Sequence, residues 1–156
     1  MEQQTIFHET AWTFLLRKEG NERYVYLIYY QWTEKLFGWS SAKWHIEQWE
    51  TPEIAALRET IEETGFKDPQ LLDLINVNEY SYDVGDWYNH IKKTYWFAAI
   101  TDEVTPWKLN LTENELNQIK ETKWYKLNDA VGYLRFDDEK DLIPKIVTLL
   151  QQKEIY

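Results

Sequence analysis

The 156-residue chain contains no cysteine, which excludes disulfides, thiolate metal sites and cysteine nucleophiles. Glycine is scarce, with five residues against nine tryptophans, so few positions are free to adopt left-handed backbone. Long apolar runs are missing as well. "YVYLIYY" at 24–30 falls far short of the roughly 20 residues that a bilayer requires. The opening "MEQQTIFHET" has no basic stretch followed by an apolar one, so no secretory leader is expected and the cytoplasm is the default compartment. Basic charge is in deficit: 17 Lys and Arg stand against 27 Asp and Glu, for a net charge of −10. Such a surface repels nucleic-acid backbones and acidic membranes. An anionic ligand such as a polyphosphate would need divalent cations as mediators.

What is present is aromatic and β-prone. Strands are expected at "AWTFLLR" (11–17), "RYVYLIYY" (23–30), "LLDLINVNEYSY" (71–82), "KKTYWFAAI" (92–100) and "TKWYKL" (122–127). "EGNE" (19–22) and "YDVGDWYNH" (82–90) read as hairpin loops. Helices are expected at 52–64, 111–120, 127–134 and 137–152, with Pro144 starting or kinking the last. "DDEKD" (137–141) reads as a helix start and solvent face. No repeat or linker divides the chain, so residues 1–156 are expected to form one domain, and the order of elements points to a mixed α/β sandwich.

The helix at 52–64 carries the chemistry. Thr51 suits the N-cap, Pro52 the first turn and Gly65 the left-handed stop. At 100° per residue, Ile54, Leu57 and Ile61 make one apolar stripe, expected to face the core. Glu59, Glu62 and Glu63 cluster within roughly 100° on another face. Three carboxylates so close repel one another unless a cation sits among them, and hard divalent ions suit an all-oxygen set. Arg58 can reach Glu62 one turn on, or Glu50 in the preceding loop. Most acidic helix faces are simply solvated. The full pattern, E-x7-R-E-x-x-E-E-x-G over Glu50 to Gly65, has odds of about 10⁻⁷ per window by composition alone.

This pattern resembles the Nudix hydrolase box, G-x5-E-x7-R-E-U-x-E-E-x-G-U with U bulky and apolar. Seven of nine letters agree over residues 44–66; Trp44 and Thr60 depart from it. The resemblance implies a Nudix-type α/β/α sandwich with a mixed sheet and its catalytic helix at about 52–64. It also implies magnesium or manganese held by Glu59, Glu62 and Glu63, one of them serving as general base, with Glu50 and Arg58 bracing the helix. The implied reaction is attack of metal-activated water on a nucleoside diphosphate linked to another group.

Within the family, "SAKWHIEQWETPEIAALRET" is similar to the diadenosine tetraphosphate hydrolase branch through Lys43, His45, Glu47 and Thr60. That likeness places Lys43 and His45 beside the polyphosphate and makes Tyr95 a candidate to border the adenine, against core packing as its alternative. A further carboxylate would come from Glu113, Glu115 or Glu121. Trp12, Trp44 and Trp49 stand where glycine is usual, so a strained loop and a weakened site are expected at Trp44. The leading reading is a metal-dependent hydrolase of dinucleoside polyphosphates. Its alternatives are a nucleoside triphosphate or nucleotide-sugar pyrophosphohydrolase, or a catalytically weak nucleotide-binding module. A monomer or homodimer without nucleic-acid or membrane partners is expected.

Overall fold

The computed structural model describes residues 2–107 and 111–153, with the side chains of Lys43 and Trp44 outside that description. Its strands are β1 (Thr5–Glu19), β2 (Glu22–Gln31), β3 (Phe37–Ser40), β4 (Ala42–His45), β5 (Gln70–Tyr82), β6 (Asn89–Ile100) and β7 (Ile119–Lys126). The helices are α1 (Pro52–Thr64), α2 (Glu113–Gln118) and α3 (Asp137–Gln152), with a 3₁₀ turn at Leu127–Gly132. Among the described residues no helix is long and apolar enough to cross a membrane.

The strands form one mixed sheet in which β1 runs parallel to β6 and every other named pairing is antiparallel. Both expected hairpins are present: Glu19 faces Glu22 across Gly20, which sits at φ +59°, and Tyr82 faces His90. The alternation of side chains along β1 separates the two layers. Ala11, Thr13 and Leu15 face α1 and Phe66, while Trp12, Phe14 and Leu16 face α3. Leu142, Ile143, Ile146 and Leu150 pack the inner face of α3 on that second side, each worth about 1.5–3 kcal/mol relative to exposure. Helix α3 continues through Pro144 rather than starting there.

The helix carrying the box lies the other way round from its expected stripe. Its buried residues are Ala55, Ala56, Glu59, Thr60, Glu63 and Thr64, while Ile54 is 50% and Ile61 40% exposed. Small alanines let the helix backbone approach the sheet, with Thr13 Oγ1 donating to the Ala56 carbonyl at 3.5 Å. The acidic face is thereby turned inward and the apolar stripe outward. The capping follows the sequence reading: Thr51 Oγ1 accepts from Ile54 N, and Gly65 at φ +77° donates to Ile61 O.

The short strands β3 and β4 explain how a cleft opens. β1 pairs with β2 only from Leu15 to Glu19, and its earlier residues 10–13 pair with β4 instead. β2 meanwhile continues beside β3 over residues 28–31. The two long strands therefore splay, and the β3–β4 connection fills the gap. Glu139, fully buried in the first turn of α3, staples this fork by accepting from Ser40 Oγ at 2.6 Å and Ser41 N at 2.8 Å. The acidic run does start the helix, but this one member is turned inward rather than to solvent. At Gly38, φ is +148°, and an added Cβ would lie 2.7 Å from Arg135 Cβ. Gly38→Ala is therefore expected to cost about 1–3 kcal/mol or more, read from urea unfolding. An unchanged midpoint and slope would show that the fork tolerates the extra carbon.

Candidate active site

Arg58 is the centre of the carboxylate cluster. Its Nε and Nη2 donate to the two oxygens of Glu50 at 2.5 and 2.7 Å, a bidentate pair. Its Nη1 donates to Glu59 and, at 3.3 Å, to Glu62. Glu50 also accepts from Glu47 N at 3.1 Å, which closes the loop before α1. The guanidinium beside Glu50 holds that carboxyl below its usual range, and Glu50 in turn raises the Arg58 pKa. Glu50 and Arg58 thus tie the loop before α1 to the helix.

Glu59 behaves differently. Burial, followed by the charge of Glu62, pushes its carboxyl up to about 8 despite the contact with Arg58; Glu115 adds to the rise. Glu63 is fully buried and accepts a 2.8 Å hydrogen bond from the Tyr30 hydroxyl. Of the three later acids, only Glu115 is buried, while Glu113 and Glu121 are exposed. Glu115 closes a capping box with Thr112 through one oxygen, Oε1. Its electrostatic effect on Glu59 brings a second element of the chain to the same centre.

Among the described residues, no group of three or more histidine, aspartate or glutamate side chains is arranged to hold a metal. Arg58 engages three of the carboxylates itself. Yet Glu59 Oε2 and Glu115 Oε2 are both buried without a hydrogen-bond partner. Buried anionic oxygens left unpaired are costly, and a hard divalent cation is the group that an all-oxygen pair accommodates. The residues present therefore fit such an ion.

A cleft of about 330 Å³ adjoins the cluster, lined by Thr10, Trp12, Tyr30, Trp32, His45, Lys92, Asn114 and Gln118. Tyr30 connects the two, since its ring lines the cleft and its hydroxyl reaches Glu63. Trp32 stacks on Tyr30 at 5.1 Å and 16°. His45 is thus at the cleft, whereas the side chain of Lys43 lies outside the described residues. Tyr95 is not brought to the cleft. It is half-buried on the sheet face that carries α1, packed with Ala11, Ala55, Ala56 and Phe97. Thr10, Tyr30, Trp32, Lys92 and Asn114 are among the lining residues that the sequence did not single out, because nothing in their types marks which of them meets a splayed neighbour.

The tryptophans resolve unevenly. Trp12 is 9% exposed in mid-strand and packs on Trp96 at 4.4 Å. Trp44 lies in β4 opposite Ala11, in extended strand rather than a positive-φ turn, so the expected backbone strain does not arise. Its side chain lies outside the described residues. Trp49 points outward and is 75% exposed.

A NUDIX domain profile matches residues 7–147. The chain belongs to the NUDIX domain family. The enzyme class read from the box, a Nudix hydrolase acting on phosphoric anhydrides, stands with it. No curated relative matches the chain in sequence. A Caenorhabditis elegans Ap4A hydrolase binary complex superposes with a TM-score of 0.71 at 19% identity, covering 93% of this chain and 98% of that one. A mutT/nudix family protein from Listeria innocua reaches 0.67 at 20% identity over 95% and 96% of the two chains. The NUDIX domain of Shewanella oneidensis NrtR, complexed with ADP ribose, reaches 0.65 at 17% over 96% and 90%.

The raised Glu59 pKa has a thermodynamic sign. Between 4.5 and about 8 the folded state holds a proton that the unfolded state has released, so stability falls as pH rises through that window. In chelator, wild type should lose more stability than Glu59→Gln between pH 5.5 and 7.5, measured by urea unfolding. Equal slopes for the two proteins would remove Glu59 as the titrating group. Tyr30→Phe removes a hydrogen bond to the buried Glu63 carboxylate and should cost about 1–3 kcal/mol, measured in the same assay.

Proposed function

We propose that this Nudix hydrolase cleaves dinucleoside polyphosphates, diadenosine tetraphosphate first among them, at the cleft bounded by Tyr30 and Trp32. The observation that carries the reading is the placement of the acidic cluster against an aromatic cleft through Tyr30, whose hydroxyl holds Glu63. Glu59, Glu62, Glu63 and Glu115 are the residues that would hold magnesium or manganese. When bound, such ions neutralise the diphosphate and acidify the attacking water.

The chain's own groups supply the rest. Arg58 keeps Glu50, Glu59 and Glu62 in fixed rotamers, so the cluster is organised before substrate arrives. The proton that Glu59 holds below pH 8 must leave when a cation enters, which makes metal affinity rise with pH. Lys92 and His45 place basic groups in the cleft of a chain whose net charge is −10, and Lys43 belongs with them on the likeness to the branch. Trp12 and Trp32 add aromatic surface to the cleft wall. Tyr95 packs with Ala55 and Ala56 of α1 and is not among the residues that line this cleft.

A second reading is a nucleotide-binding module of low turnover. It is favoured by the three contacts that Arg58 makes to the carboxylates and by the ADP ribose bound to the NrtR neighbour.

Diadenosine tetraphosphate incubated with and without magnesium, with products separated by chromatography, should give ATP and AMP only with the metal. Glu59→Gln and Glu63→Gln should each lower kcat by about 100-fold or more, the scale of several kcal/mol of lost charge stabilisation. Glu63 is buried beside Tyr30, so circular dichroism must accompany its variant. Turnover of nucleoside triphosphates or nucleotide sugars in place of the dinucleotide would redirect the substrate assignment. Binding without any turnover would favour the module.

A further inference from the structure

The stripe of Ile54, Leu57 and Ile61 that periodicity assigned to the core is the side of α1 turned to solvent. The helix packs on β1, β4 and β5 through its other face, where Ala55 and Ala56 are buried. Ile54 and Ile61 stay exposed, with half-buried Leu57 between them. Their spacing of i, i+3 and i+7 is the a, d, a seam by which one helix packs against another. None of the three lines the cleft.

Each end of the stripe carries an exposed indole. Trp49 stands on the turn before the Thr51 cap and is 75% exposed. Trp107, 78% exposed, is anchored at the other end, where its backbone N–H donates to the Gly65 carbonyl at 2.8 Å. Along the helix axis the apolar order is therefore Trp49, Ile54, Leu57, Ile61, Trp107. It reads the same from both ends, with Leu57 at its centre. The three outward helix positions bear no charge, on a chain whose net charge is −10.

The area fits a pair. Burial covers about 150–250 Å² on an aromatic side chain and about 60–120 Å² on a branched aliphatic one. At their exposures the two indoles and two isoleucines offer about 400 Å² of apolar surface per copy. Interfaces are a little over half apolar, so such a surface belongs to a contact of about 700 Å² per partner, close to the roughly 800 Å² of a stable complex. We infer that this face is the interface between two copies of the chain, packed as antiparallel α1 helices about a two-fold axis at Leu57. The two-fold sets Ile54 of one copy against Ile61 of the other, and each Trp49 towards the end that carries Trp107. A symmetric stripe is its own complement, which is what an isologous contact requires. Glu59 and Glu63 are buried on the inner face of each helix and take no part.

Sedimentation velocity at moderate salt, where repulsion between two acidic copies is screened, should show wild type dimerising as its concentration rises through the micromolar range. Ile54→Glu and Ile61→Glu each place a charge in the seam and should raise the dissociation constant at least about tenfold. Both positions are exposed in the single chain, so far-ultraviolet circular dichroism should match wild type. A wild type that stays monomeric across the range overturns the interface, as does a dimer that neither variant weakens. Single cysteines test the geometry, since the chain has none of its own. Leu57→Cys lies at the axis and should form a disulfide-linked dimer under mild oxidation, whereas Ile54→Cys alone should not. Mixing Ile54→Cys with Ile61→Cys should give the mixed cross-link. Self-linking of Ile54→Cys as readily as of Leu57→Cys would overturn the antiparallel pairing.

Discussion

The divergence of β1 from β2 after the Leu15–Tyr26 pair is the constraint on which the rest of the site depends. Two strands that stayed paired would leave Tyr30 beside β1 and no room for a ligand. Because they part, β3 and β4 enter the gap, Tyr30 reaches Glu63, and the cleft opens next to the acidic helix. Splayed strands expose backbone groups that would otherwise go unpaired. Here the ladders to β3 and β4 satisfy most of them, and the Glu139 carboxylate takes the Ser41 N–H at the branch point. A buried carboxylate is costly in itself, and its position in the first turn of α3, at the positive end of the helix, offsets part of that cost.

Electrostatics within the site follow from the orientation of one helix. Turning Glu59 and Glu63 inward desolvates both, and a single guanidinium shared among Glu50, Glu59 and Glu62 cannot neutralise them all. Arg58 satisfies Glu50 fully, which is why that carboxyl stays well ionised, while Glu59 is left closer to protonation. The cluster is therefore organised but not charge-balanced. A divalent cation would complete it, and an anionic substrate approaching a chain of net charge −10 meets the same requirement from the other side.

The aromatic residues perform two jobs that composition cannot separate. Trp12, placed where the family wording has glycine, fills the sheet face beneath α3 and lines two neighbouring pockets. Trp49 does neither and projects into solvent. The difference lies in the register. Position 12 is in mid-strand between β4 and β6, whereas position 49 is on the turn before α1.

Much of this was legible in the residue order. The five long strands, both hairpins and the caps of α1 are local features, set by turn chemistry and capping side chains that operate over a few residues. The full pattern from Glu50 to Gly65 likewise pointed to the family, which the domain profile bears out. Tertiary packing decided what periodicity could not. Ile54 and Ile61 face water because Ala55 and Ala56 permit a closer approach to the sheet than branched side chains would. β3 and β4 were invisible because strands of four residues carry too little pattern to be seen. Glu115 was separated from Glu113 and Glu121, and Tyr30 chosen from a tyrosine-rich strand, only by where distant segments meet. A single sequence records which groups can form hydrogen bonds and ion pairs, while the partner of each is set by the path of the chain through space.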